Sequence, residues 1–289
     1  MKDIEYNKAN IVAEIGCNHK GSLDIAKELI TLAAQAGATY AKFQKRNPKE
    51  LLDKDAYQKP HPVPYQSYGE TYGAHREFLE FDLDQHTELK KHCDQVGVAY
   101  ATSVWDLTSA RDIIKLNPEY IKIPSACNNN EELLSFLADN YKGDIHISLG
   151  MTDRQEEKAL MTLLVPILDR IVLYACTSGY PVAFEDTCLL EISRLREQYA
   201  HQVKSIGYSG HHLGIAIDVA AYTLGAVWIE RHFTKDRTWK GTDHAASLEP
   251  GGLSKLVRNL TATHKSMTYK AEEILEIEIA QREKLKFKT

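Results

Sequence analysis

The sequence predicts a single α/β domain folded as a (β/α)8 TIM barrel. Three observations predict it. Eight short apolar runs alternate with segments of helical periodicity along the 289 residues. The runs are nearly continuous in apolar character, as strands of a parallel sheet covered on both faces must be. The length matches what eight such units need. A doubly wound open sheet is the rival, and no GxGxxG follows the first strand to support it.

The elements follow in order. Residues 11–15 are the first strand, closed by Gly16. Residues 22–36 carry Leu23, Ala26, Leu29, Ile30 and Ala33 on one helical side, and Gly37 is a stop signal. Residues 39–43 are the second strand. Residues 47–80 break the rhythm with Pro48, Pro60, Pro62, Pro64, Gly69 and Gly73, and read as a long loop or insertion. Loops of that length inside a compact domain are usually functional or disordered. The rhythm returns with a helix over 83–95, a strand over 98–102 and a helix over 107–116. Strand 120–123, helix 131–140, strand 145–149 and helix 154–168 come next. Strand 171–175, helix 187–199, strand 203–208 and helix 213–224 follow. Strand 226–230 is the eighth, with a helix over 253–264. The charged, periodic stretch 270–286 reads as an extra helix or an exposed tail. The expected organisation is a barrel over 1–268, with its long loop at 47–80, and a helical extension over 269–289.

Composition narrows the partners. Lys plus Arg number 35 and Asp plus Glu 40, a formal charge of −5, which gives no electrostatic reason to expect nucleic acid or an anionic membrane. No run reaches the roughly 18 apolar residues needed to span a bilayer. The N-terminal MKDIEYNKAN has no signal-peptide core. The five cysteines, Cys17, Cys93, Cys127, Cys176 and Cys188, are odd in number and lack a CxxC. Reduced thiols in a cytoplasmic protein are expected.

Polar residues collect at predicted strand C-termini, the end where barrel active sites form. They are Glu14 on strand one, Lys42 and Gln44 on strand two, Thr102 on strand three, and Lys122 with Ser125 on strand four. Thr177, Ser178 and Tyr180 follow strand six, Ser209, His211 and His212 strand seven, and Glu230 and His232 end strand eight. Packing does not explain such a series. Lys42 and Lys122 alternate with apolar neighbours in AKFQ and IKIP, so their stems can follow the wall while the ammoniums meet at the mouth. Two convergent cations need an anion, either a ligand phosphate or carboxylate or the carboxylates of Glu14 and Glu230. A Schiff-base nucleophile is the third reading. His211 and His232, on adjacent strand ends, read as ligands of a divalent metal or as hydrogen-bonded acid, base or orienting groups. His212 is an alternative ligand. Asp243 and His244 lie in the glycine-bearing loop after strand eight and face the same mouth. Cys127 and Cys176 sit near strand ends with no histidine partner fixed by sequence.

These residues occur in familiar strings. IVAEIGCNHKGSLDIAKELI, AGATYAKFQ, QSYGETYGAHREFLEFD, YIKIPSACNNNEELL, ISLGMT, ACTSGYPVAFEDTCLLEI, IGYSGHHLGI and GAVWIERHFTKDRTWKGTDHAASLEP together resemble the sialic acid synthase (N-acetylneuraminate synthase) family over roughly residues 10–260. The resemblance implies a cytoplasmic transferase of capsule or surface polysaccharide biosynthesis. It would condense phosphoenolpyruvate with N-acetylmannosamine or a related open-chain acylated aminosugar, with C–O cleavage, giving a nonulosonic acid and phosphate. It implies that Lys42 and Lys122 bind phosphoenolpyruvate, with Thr102, Ser125, Ser178 and Ser209 around its phosphate. It implies Mn²⁺ or Mg²⁺ on His211 and His232, a catalytic share for His211, and Glu14 as the carboxylate that handles water. Gln44, Tyr180 and Asp243 would face the sugar. A homodimer is implied.

Three departures accompany the resemblance. The family often has GYSDH, whereas this chain has Gly210 and His212 in GYSGHH. Cys127 stands where an acidic residue commonly lies. No C-terminal antifreeze-like domain is expected in this chain, so either a separate polypeptide bearing that domain is a partner or the acceptor is held differently. A legionaminate- or pseudaminate-type acceptor, and a non-catalytic barrel that binds a phosphorylated sugar or a protein, are the alternatives.

Overall fold

In the computed structural model, which describes residues 6–287, eight parallel strands close into a barrel in chain order. They are β1 (Asn10–Gly16), β2 (Tyr40–Lys45), β3 (Ala99–Val104), β4 (Tyr120–Ile123), β5 (Asp144–Ser148), β6 (Ile171–Cys176), β7 (Ser205–Gly210) and β8 (Trp228–His232). The ring closes where β1 pairs with β8, Glu14 opposite His232. The predicted (β/α)8 barrel is the fold of the protein.

After β1 comes α1 (Leu23–Ala36), capped at its start by Ser22 and stopped by Gly37 at φ +89°, a left-handed conformation open to a residue without Cβ. Between β2 and β3 lie α2 (Pro48–Leu51), α3 (Lys54–Gln58), α4 (Tyr72–Phe78) and α5 (Leu83–Val96). Then α6 (Leu107–Leu116), α7 (Glu131–Asn140), α8 (Arg154–Leu163), α9 (Glu191–Tyr199), α10 (Ala216–Thr223) and α11 (Pro250–Ser266) follow β3 to β8 in turn. The helix expected over 154–168 ends earlier, because Pro166 falls in a 3-10 stretch, Val165–Arg170. The final α12 (Glu276–Leu285) buries no residue; residues 1–5 and 288–289 of the expected organisation lie outside the described residues.

The segment 47–80 is more ordered than a loop. Asn47, Asp53 and Thr71 each cap a short helix with a side-chain oxygen. Pro48 and Pro64 occupy first helical positions, where a missing N–H costs nothing. Proline read as a breaker is here a starter. The segment is pinned at both ends. Asp106 accepts from the Asn47 N–H at 2.7 Å, and Glu80 holds both the Arg46 N–H and its Nε at 2.9 and 2.6 Å.

Side chains alternate between two cores. Val12, Tyr40, Ala101, Tyr120, Val172, Tyr174 and Trp228 fill the barrel interior. The larger core lies between strands and helices and takes the opposite parity, with Ala13, Ala41, Tyr100, Ile121, Leu173 and Ile229 among its members. This parity decides which polar residues reach the mouth.

Buried histidines make the fold acid-sensitive. His86 is fully buried, with Nδ1 on the Tyr100 hydroxyl at 2.8 Å. His19 stacks on Phe81, ring centroids 4.1 Å apart. Burial, with nearby Lys45 for His86 and Arg46 for His19, lowers each to about 3. An unfolded histidine titrates near ~6.5. Between these values the unfolded chain binds protons that the folded chain refuses. No penalty exists above about pH 6.5, and below it each histidine costs about 1.4 kcal/mol per pH unit. Thermal melts are expected to hold steady from pH 8 to 7 and to fall progressively from pH 6 to 4.5. The fall should be shallower in His86→Gln. An acid limb equally steep in the variant would contradict the assignment.

Candidate active site

The C-terminal end of the barrel opens into a cavity of about 530 Å³. Strand parity delivers Glu14 from β1, Lys42 and Gln44 from β2, Ser103 from β3 and Lys122 from β4. Ser148 comes from β5, Cys176 from β6, Ser209 from β7, and Glu230 and His232 from β8. Ser125, Ser178, Tyr180, His211 and Asp243 join them from the following loops. Of the residues singled out from sequence for the mouth, all but Thr102, Thr177, His212 and His244 line this cavity; His244 is buried with Nδ1 2.7 Å from Thr234 Oγ1.

Thr102 is the correction. Its side chain shares the outward parity of Tyr100, and Oγ1 reaches the Ser103 carbonyl at 3.4 Å. Ser103, one residue on, faces the cavity and pairs in register with Lys122. Strand β3 runs two residues past its expected end, and two consecutive polar residues gave no parity signal. His212 also points outward. It is fully buried, with Nε2 3.2 Å from Arg231 Nη1 and 3.4 Å from Asp218 Oδ2. It belongs to the packing of β8 against α10. Gly210 falls on the same outer face, where an added Cβ would fall 2.7 Å from the Tyr208 ring.

The floor is a chain of alternating charges. Lys42 pairs with Glu14 and, at 3.7 Å, with Glu230. Lys122 donates to Glu230 Oε1 at 2.6 Å, which also accepts from Ser209 Oγ at 3.2 Å. Gln44 Nε2 donates to Glu14 Oε1 at 2.8 Å. All four ionised groups are nearly inaccessible. Burial opposes the Lys42 ammonium, but Glu14 and then Glu230 outweigh it and raise its pKa. For Lys122 burial wins and lowers the pKa, despite Glu230, with Lys42 adding repulsion. Burial opposes the Glu230 carboxylate too, yet Lys122 and Lys42 hold its pKa down. The Lys122 ammonium also lies 4.0 Å from the Tyr174 ring centroid. In the ligand-free protein the internal carboxylates are therefore the counter-ions of both lysines.

Beside this floor, small polar groups converge. The Gly150 N–H donates to Ser125 Oγ at 3.0 Å. A Cβ on Gly150 would fall 2.8 Å from Ser125 Oγ and closer still to Ser178 Oγ. Only a glycine leaves this hydroxyl pair facing the cavity next to Lys122.

His211 and His232 lie side by side, ring centroids 5.4 Å apart. His211 Nδ1 is 2.9 Å from the Thr177 carbonyl. As donor to it, the ring keeps a lone pair on Nε2. Burial and the neighbouring His232 lower the pKa of His211 to about 3, so it is neutral at pH 7. His232 Nδ1 is buried without a hydrogen-bond partner, 3.9 Å from Asp243 Oδ2. The neutral His211 ring and the unsatisfied Nδ1 of His232 together are a donor set that fits a borderline divalent cation. Among the described residues no third His, Cys, Asp or Glu completes a protein cluster, so water and substrate oxygens would fill the other positions. Tyr180 packs on both rings, at 4.3 and 5.8 Å.

Sequence reasoning missed Arg46, Arg76 and Trp105, which line the cavity from the β2 and β3 side. Arg46 directly follows β2, and its position alone was a usable signal. Arg76 comes from α4, inside a segment read as irregular. Cys127 fits a structural role: it is buried, with Sγ near two carbonyls, and burial pushes its thiol far up.

Comparison with known proteins follows from this geometry. The model of the NeuB family matches residues 29–272. The human N-acetylneuraminate-9-phosphate synthase is 39% identical, over 95% of this chain and 76% of that protein. The N,N'-diacetyllegionaminic acid synthase of Campylobacter jejuni is 36% identical, over 90% of this chain and 78% of that one. Among solved structures, the N-acetylneuraminic acid synthetase of Leptospira borgpetersenii, in complex with citrate, aligns with a TM-score of 0.81 at 29% identity, covering 98% of this chain and 94% of that one. No helix among the described residues is long and apolar enough to cross a membrane.

Proposed function

This chain belongs to the NeuB family, and on that premise we propose that it condenses phosphoenolpyruvate with an open-chain acylated aminosugar, forming a nonulosonic acid and phosphate. The observation that carries the reading is the buried Glu14–Lys42–Glu230–Lys122 chain beside the His211–His232 pair. It offers two cations to a phosphorylated acid and a carboxylate to handle water. Relatives named as synthases of two different nonulosonic acids support the product class. N-acetylmannosamine is the default acceptor.

The residues take the following parts. Lys122, with Ser125, Ser178 and the Gly150 backbone, holds the phosphate end of phosphoenolpyruvate. Lys42, already beside Glu14, steadies the carboxylate end. C3 of phosphoenolpyruvate attacks the aldehyde carbon: one C–C bond forms as the C2=C3 and aldehyde C=O π bonds open, C2 is left electron-poor for water, and the aldehyde oxygen becomes an alkoxide that takes up the proton released by that water. Glu14 takes a proton from the water that attacks C2. The resulting hemiketal phosphate loses phosphate as its C2–O bond breaks. Ser209 and Gln44 keep Glu230 and Glu14 in place throughout. A divalent cation, Mn²⁺ or Mg²⁺, held by His211 and His232 would supply Lewis-acid polarisation of the aldehyde. Tyr180 and Asp243 face the sugar. The proposal extends to a cytoplasmic homodimer.

The test is phosphate release from phosphoenolpyruvate across several acylated aminosugars. Release is expected with added Mn²⁺, loss of at least about 10²-fold after chelation, and recovery when the cation returns. No release with any acceptor and added Mn²⁺ would favour a barrel that only binds.

A further inference from the structure

The interior of a (β/α)8 barrel is ordinarily filled by branched apolar side chains. Next to the charged floor, this one holds rings instead: Tyr174, His146, Tyr120, Tyr40 and Trp228. His146 is the odd member. It is fully buried, and its Nε2 meets no hydrogen-bond partner among the described residues. Burial, with nearby Lys122, holds its pKa well below the usual histidine value, so the ring is neutral. It stacks on Tyr120, ring centroids 3.7 Å apart, and its Nδ1 lies 2.9 Å from the Tyr174 hydroxyl. Burying an imidazole with one nitrogen unanswered costs free energy that an apolar side chain would not. The hydrogen bond to Tyr174 is what the histidine adds.

Tyr174 is fixed on another side by the lack of a side chain. Gly207 of β7 lies against it, and an added Cβ would fall 2.8 Å from Tyr174 Cε1 and 3.0 Å from the Trp228 Cβ. Only a glycine there leaves the ring its place. On the face of that ring, 4.0 Å from the centroid, sits the Lys122 ammonium. The other partner of Lys122 is Glu230 Oε1 at 2.6 Å. A phosphate that takes Lys122 must compete with that carboxylate. A ring face attracts the ammonium while carrying no net charge, so it can guide the lysine without opposing the substrate.

We propose that Tyr174, locked by His146 and given room by Gly207, is a positioning residue for phosphoenolpyruvate: its ring keeps the Lys122 ammonium aimed at the phosphate once Glu230 has released it. This rests on the synthase reading above and extends it to residues that do not line the cavity.

The experiment compares wild type, Tyr174→Leu, Tyr174→Phe, His146→Phe and the double Phe variant, with Mn²⁺ and the acceptor that the release assay above selects. Tyr174→Leu should raise the KM for phosphoenolpyruvate by about 10-fold, within what a desolvated cation–ring contact supplies, and leave the acceptor KM unchanged. Tyr174→Phe keeps the ring and loses the tie, so its rise should be only about 3-fold, the worth of one hydrogen bond. His146→Phe should match it, and the double variant should add nothing, because both substitutions remove the same bond. Thermal melts on the same preparations identify any variant that fails to fold; if Tyr174→Leu is one, the Phe variants decide. An unchanged KM for phosphoenolpyruvate in the folded variants overturns the proposal while leaving the synthase reading intact. So do equal rises in both KM values, or additive effects of the two Phe substitutions. A wild type that releases no phosphate with any acceptor overturns both.

Discussion

Lys122→Met is expected to lower phosphate release by at least about 10³-fold without unfolding the protein. A preorganised donor in a low-dielectric site is commonly worth 10²–10³ in rate, and here the donor also carries charge. The fold should survive, because Glu230 keeps Lys42 at 3.7 Å and the Ser209 hydroxyl at 3.2 Å when Lys122 is gone. Methionine retains an apolar stem to lie on Tyr174. Phosphate release and a thermal melt on the same preparation check both halves. Near-normal turnover would remove Lys122 from the chemistry, and a collapsed melt would make it a structural residue.

The largest stability effect is expected outside the cavity, at Arg231. Its Nη1 donates to Asp218 at 2.6 Å and the Gly214 carbonyl at 2.8 Å, and its Nη2 donates to the His212 carbonyl at 2.6 Å. Asp218 is wholly buried. Arg231→Met leaves that carboxylate without its counter-ion, and breaking a buried pair from one side costs about 3–5 kcal/mol. The Tm should fall by about 10 °C. Asp218→Asn added to the variant should recover part of the loss, since the stranded charge is then gone. A single variant as stable as wild type would show that the pair contributes little. His212, an added imidazole when only the sequence is considered, is part of this outer cluster, which is why its neighbour His211 alone reaches the cavity.

Strand number and order were legible because each barrel strand is a short apolar run with a turn signal behind it. Lys42 and Lys122 were legible for a sharper reason: each interrupts an apolar alternation at one position, so parity sends it inward. Thr102 failed on the same rule, because ATSV offers two adjacent hydroxyls and no alternation to choose between them. The short helices of 47–80 were illegible because their length is below what periodicity can reveal, while their prolines are ordinary first-turn residues. Arg76 could not be assigned without that segment's path over the mouth. Fold and floor therefore followed from pattern, and the outer rim depended on tertiary contacts between segments far apart in the chain.

The alternating chain on the barrel floor has one more consequence. Two lysines and two glutamates sum to no net charge, so the floor is a closed internal salt that folds without any ion from solution. On the function proposed above, an anionic substrate would not discharge it but would enter by exchange, taking a lysine from a carboxylate that already holds it. Ground-state affinity is then a difference between two similar attractions, while each displaced carboxylate is left freer to accept a proton. Binding at one end of the chain thereby prepares a base at the other.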